Sequence, residues 1–106
     1  MNKEPVKNAA RTLVGLNAKR TALECLRLRG ESEAASAVER ELEAVELALG
    51  TLHADDRYLL TEFFVERNED RMEKLCRYFG CSESSVYRRK RHAVAELAAR
   101  LYGTAD

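Results

Sequence analysis

Turn-forming residues are scarce in this chain, with one proline and five glycines in 106 residues. No stretch of apolar–polar alternation is long enough to mark a strand, and the abundance of Ala, Leu, Glu and Arg favours helix over sheet. Long apolar runs are also missing. None reaches the roughly 18 residues that a membrane span needs. The opening segment MNKEPVKNAARTL has no apolar centre of the kind a signal peptide carries. A cytoplasmic protein with no membrane partner is expected. The three cysteines, Cys25, Cys76 and Cys81, include no C-x-x-C pair, and there are only two histidines, His53 and His92. A zinc site takes four well-placed ligands, so Cys76 and Cys81 read as small core residues. No metal or cofactor is expected. A Gly-rich phosphate loop, a nucleophile elbow and an H-E-x-x-H pair are all absent. Asp55 and Asp56 are adjacent on a helix and do not face each other. The chain does not read as an enzyme. Internal repeats and low-complexity tracts are lacking too.

An excess of either charge is missing as well, since 18 Lys and Arg balance 18 Asp and Glu. The balance conceals segregation. Residues 1–30 carry a net +5, residues 31–70 a net −9, and residues 71–101 a net +5, with Asp106 supplying the last −1. What matters for a nucleic-acid partner is the local field of the binding face.

What is present is helical periodicity. Pro5 suits the first turn of a helix, and Val6, Ala9, Leu13, Leu16 and Leu23 are spaced for one face of a helix running to about Arg29, with Gly30 as its stop. Ser32 is placed to cap a second helix to about Leu49. There Ala35, Val38, Leu42, Val45, Leu49 and Leu52 alternate steps of three and four, the spacing of a short coiled-coil seam. A parallel homodimer through that seam would oppose Glu39, Glu41 and Glu46 with their own copies. The first helix, carrying Lys19, Arg20, Arg27 and Arg29, is a better partner, in the same chain or in a swapped second one. A third helix is expected from about Ala54 to Arg67, with Asp55 and Asp56 in its first turn and Leu59, Leu60, Phe63 and Phe64 on its apolar face. RNED, residues 67–70, follows as a polar loop. The fold class is therefore all-α, with a helical hairpin over residues 1–50 and a second unit over 51–106.

The most informative stretch is Asp70 to Leu101, DRMEKLCRYFGCSESSVYRRKRHAVAELAARL. Asp70 with Glu73 makes a D-x-x-E variant of the capping box, and Met72, Leu75, Cys76 and Phe79 share one helical face. Gly80 ends this helix, Cys81 plugs the turn, and Ser82 caps the next helix. In that helix Val86, Ala93, Val94, Leu97 and Leu101 form one side, while Glu83, Ser84, Tyr87, Arg88 and Arg91 fall largely elsewhere. A short helix, a Gly turn and a second helix with basic outward residues is the helix-turn-helix pattern, whose second helix enters the major groove of DNA. Four consecutive basic residues, Arg88 to Arg91, strengthen that reading over the bland one of a solvated helix face.

SESSVYRRKRHAVAEL resembles the recognition helix of bacterial sigma factor region four, which commonly reads S-x-x-T-V-x-x-R-x-x-x-A-x-x-x-L. Ser82, Ser85, Val86, Arg89, Ala93 and Leu97 stand at the matching places. LHADDRYLLTEFFVERN resembles that domain's leading helix through Leu52, Leu59, Leu60 and Phe64, so the likeness covers about Leu52 to Leu101. The chain departs from the pattern at Phe79, often Leu there, and at Lys90, often apolar, which implies a helix less covered on that side. The small size and the helical arm ahead of this unit look like the ArpU/RinA type of phage and prophage late-gene activators.

The resemblance implies a DNA-binding transcription regulator in which Glu83, Ser84, Tyr87, Arg88 and His92 stand where the family meets DNA. By their chemistry, Glu83 can accept from a cytosine amino group and Arg88 can make the bidentate contact with guanine. Arg89 and Arg91 are candidates for phosphate contacts, with Lys74 and Arg77 behind them. Tyr58, Phe63, Phe64, Tyr78 and Phe79 read as core. The implied partners are double-stranded DNA, RNA polymerase, and a second copy of the chain through the N-terminal helices. The rival reading keeps the fold but uses it to bind polymerase or a regulator, with the acidic 31–70 segment as the contact surface.

Overall fold

A computed structural model describes residues 3–103; the outer ends of the two expected units, residues 1–2 and 104–106, lie outside the described residues. The described residues contain six α-helices, one π-helical segment and no strand. This is the all-α class expected from the sequence. The helices are α1 (Glu4–Val14), α2 (Leu16–Leu28), α3 (Ser32–Gly50), α4 (Ala54–Leu60), α5 (Arg71–Phe79) and α6 (Glu83–Tyr102), and the π-helical segment Thr61–Glu66 continues α4.

Pro5 stands in the first turn of α1. The single helix expected from Pro5 to Arg29 is instead two, divided at Gly15. Gly15 has φ −87° and ψ 2°. Its N–H donates to the Arg11 carbonyl and its own carbonyl accepts from Lys19 N–H, both at 3.0 Å. The division is therefore a kink and not a loop. The two halves have different partners. α1 packs on α6 and on the π-helical segment, burying Ala9 and Leu13, while α2 packs along α3.

The α3 seam is buried as its spacing predicts, at Ala35, Leu42, Val45, Leu49 and Leu52, with Val38 half-buried. Its partner is α2 of the same chain. Ion pairs Lys19–Glu41, Arg20–Glu46 and Arg27–Glu39 cross between the two helices. All six side chains are substantially exposed, so each pair contributes at most about 1 kcal/mol and fixes alignment more than it stabilises. Ser32 does not cap α3. It is the first helical residue, and Glu31 occupies the cap position without a side-chain bond.

His53 caps α4, its Nδ1 accepting from Asp55 N–H at 3.2 Å. The regular helix expected to Arg67 widens at Thr61. Arg67 N–H donates to the Glu62 carbonyl at 3.1 Å, five residues back. Leu59, Leu60, Glu62 and Val65 are all buried, a set too broad for one face of an ideal α-helix, and the widened turn carries them inward together.

The buried residues form one cluster running from Ala9 to Ala98. α6 lies at its centre, in contact with α1, α3, α4 and α5. Leu13, Leu16, Leu59, Leu60, Leu75, Val86 and Leu97 are almost wholly buried. Each such side chain contributes about 1.5–3 kcal/mol by leaving water. Among the described residues no helix is long and apolar enough to cross a membrane.

Candidate nucleic-acid interface

α5 and α6 are joined by three residues, Gly80 to Ser82. Gly80 adopts φ 63° and ψ 40°, the left-handed conformation that ends a helix. Cys81 N–H donates back to the Cys76 carbonyl at 3.1 Å. Ser82 is extended, and its Oγ accepts from Ser85 N–H at 3.3 Å, capping α6 as expected. The box expected at the other end of the motif does not form. Asp70 takes the cap position of α5 with φ −90° and ψ 15° and makes no side-chain bond. That backbone is not the extended conformation that aims a cap side chain at the first turn. Glu73 instead lies 3.7 Å from Arg77, and the Asn68 carbonyl accepts from both Arg71 N–H and the Arg71 guanidinium.

The 20 residues of α6 separate into two sides. Val86, Ala93, Val94, Leu97 and Ala98 are buried, with Leu101 half-buried beside them. Ser84, Arg88, Arg91, His92 and Ala95 are exposed, and their spacing puts them on the opposite face. Glu83 lies exposed in the first turn. Among the described residues Arg88, Arg91 and His92 have no acidic partner. The helix thus carries an unneutralised basic line on its outer side because its apolar side is fully occupied.

The remaining expected residues stand on the flanks. Arg89 leans to the α5 side, its guanidinium 4.2 Å from the centre of the Phe79 ring. Tyr87 leans to the other side, edge-on to Phe63 at 6.0 Å. Arg77 is exposed beside Glu73. Lys74 is turned inward. Its ammonium lies 2.5 Å from Glu62, a buried acid that also accepts from the Asn68 amide at 3.4 Å. That bond to Glu62 raises the Lys74 pKa, so Lys74 keeps its charge but presents it to Glu62.

Two expectations are corrected around the aromatic residues. Tyr78 is exposed and not core. Its hydroxyl donates to Asp55 at 2.7 Å and its ring lies 4.5 Å from that of Tyr58. The Asp55 bond holds the phenol at the surface and raises its pKa. Lys90 does not leave α6 uncovered. It is half-buried, its ammonium 5.0 Å from the Phe63 ring, 5.4 Å from Tyr87 and 5.9 Å from Phe64. Burial, and then the charge of Arg91, lower its pKa. Arg71, absent from the expected set, has its guanidinium 5.3 Å from the centre of the same Phe63 ring. No local pattern announces these contacts, because Phe63 comes from a different element.

Among the described residues no group of three or more metal-ligating side chains gathers. No protein-family model matches the chain, and no curated protein or solved structure matches it. The outer side of α6 is a basic helix face flanked by cations resting on aromatic rings. Such a face is suited to contacts with phosphates and base edges in a groove.

Proposed function

We propose that the protein is a sequence-specific DNA-binding transcriptional regulator that lays α6 in the major groove. One observation carries this reading: Arg88, Arg91 and His92 stand without an acidic partner on the outer face of a helix whose inner face is buried, directly after a glycine turn and a serine cap. The first turns of α6 bring Glu83, Ser84 and Arg88 to base edges, with Tyr87 and His92 at their margins. Arg89, Arg91 and Arg77 meet phosphates. The likeness to sigma region four supports the same docking, and with it a role in placing or stabilising RNA polymerase at a site, as in the phage and prophage activators the chain resembles. A second copy, joined through the N-terminal helices, would engage a second half-site.

The test is selection from a random duplex library at moderate salt, repeated as salt rises. An enriched motif, and affinity falling linearly on a log–log plot, is the expected result. Retention of no duplex, or affinity that salt does not change, would refute it.

A second reading, a module that binds a protein partner without reading DNA, draws on Leu28 of α2 and Leu47 of α3, which are 87% and 73% exposed. It predicts polymerase capture that survives nuclease treatment and Arg88→Ala.

A further inference from the structure

Cys76 and Cys81 are brought together by the turn that precedes α6. Cys76 lies in the last turn of α5 and Cys81 is the second residue past its end, with left-handed Gly80 between α5 and Cys81. In this type of helix ending the side chains three positions before the end and two beyond it meet over the backbone bond that closes the turn. That bond is present, Cys81 N–H to the Cys76 carbonyl at 3.1 Å. It draws the backbones of the two residues together, as a disulfide requires of its two Cα atoms. Both thiols are half-buried against the same core and both are free. The third cysteine, Cys25, is exposed on α2.

We propose that Cys76 and Cys81 are a dithiol modification site, oxidised by hydrogen peroxide to an intramolecular disulfide that clamps the turn leading into α6. Cys81, in the turn itself, attacks the peroxide. Its sulfur gains oxygen as the O–O bond breaks, giving a sulfenic acid and one water. The Cys76 sulfur then attacks Cys81, the S–S bond forms, the S–O bond breaks, and a second water leaves. Two thiols lose two electrons and two protons, and one peroxide becomes two waters. Burial, reinforced by Cys81 and Glu83, pushes the Cys76 thiol up, so Cys76 is the poorer thiol to meet the peroxide first. Ser82, the cap of α6, is the next residue, so the clamp bears directly on how the basic face is held. This regulatory consequence rests on the DNA-binding reading above; the oxidation itself does not.

The experiment uses the full chain with Cys25→Ser, which removes the exposed thiol. After hydrogen peroxide, the expected result is a monomer lighter by about 2 Da, with both thiols lost together. Cleavage after Lys74, Arg77 and Arg88 separates the two cysteines, so the oxidised protein should yield LCR linked to YFGCSESSVYR, and dithiothreitol should release it. Adding Cys76→Ser should abolish the linked pair and leave a sulfenic acid on Cys81 that dimedone traps. Stepwise gains of oxygen without the linked pair would overturn the proposal. On the selected duplex, reduced and oxidised protein should differ at least about threefold in affinity, reversibly. Equal binding in both states would overturn the regulatory part, whereas no binding in either state, with the linked pair present, would count against the DNA reading alone.

Discussion

Gly80 and Arg67 adopt nearly the same backbone conformation, with φ values of 63° and 53°, yet only one is a glycine. A Cβ added at Gly80 would meet nothing within 4 Å, so the cost of Gly80→Ala is purely conformational, about 1–2 kcal/mol. Arg67→Gly relieves the same strain and should stabilise by up to about 1 kcal/mol. Urea unfolding of the two variants against the parent would check that their signs are opposite. At the next position but one, Ser82→Ala removes the cap of α6 and should cost about 1 kcal/mol, while Ser82→Gly should cost only a few tenths. Among the basic residues the contrast lies between Arg88 and Lys74. Arg88→Ala should weaken binding to the selected duplex by about 1–3 kcal/mol and relax its specificity at one base pair. Lys74→Ala, whose charge faces Glu62, should lower stability without changing the slope of affinity against salt. A drop in that slope by about one would instead mark Lys74 as a phosphate contact.

Helix boundaries tell a similar story about what neighbours impose. The periodicity of Val6 to Leu23 is continuous across Gly15, and nothing local requires a break there. The kink exists because α1 lies on α6 while α2 lies on α3. Gly15 is not left-handed, and a Cβ there would meet only the Arg11 and Thr12 carbonyls at 3.6 and 4.0 Å, ordinary contacts. Gly15→Ala should therefore be tolerated, and should raise stability by about 0.4–1 kcal/mol through the unfolded chain. A loss of more than 1 kcal/mol would mean that the kink depends on glycine itself. The two departures from the sigma-like pattern, Phe79 and Lys90, are both explained between elements. Phe79 offers its ring to Arg89, and Lys90 rests among Phe63, Phe64 and Tyr87. The widening of α4 into a π-helix was not legible for the same reason. A window on one helix reads a 3.6-residue period and cannot register that Glu62 turns inward to meet Lys74.

For the molecule as a whole, two of the side-chain bonds that link distant elements have donors that deprotonate at high pH, and both then fail. Tyr78 donates to Asp55 and Lys74 to Glu62, and in each case the bond raises the donor's pKa. Both donors hold their protons more tightly in the folded protein than in the unfolded one. Their contribution is complete below about pH 10, the ordinary range of these groups, and is lost as pH rises through the raised values. The thermal midpoint should stay level from about pH 7 to 9 and fall beyond about 10. In Tyr78→Phe the fall should be shallower. The buried cluster also joins α1 to α6, through Leu13 and Leu97 among others. Leu13→Ala should consequently cost about 2–5 kcal/mol and lower the stability of α6 as much as that of α1, as amide exchange on both helices would register.

The sequence by itself determined the helical class, the α3 seam, the Gly80 ending, the Ser82 cap and the inner face of α6, because each depends on residues within about two turns of one another. Only the tertiary structure decided the kink at Gly15, the π-helical turn, the exposure of Tyr78, the inward aim of Lys74 and the ring contacts of Lys90. Each of those depends on a partner from another element, such as Glu62 for Lys74 or Asp55 for Tyr78, and separation along the chain carries no trace of which side chains packing will bring together.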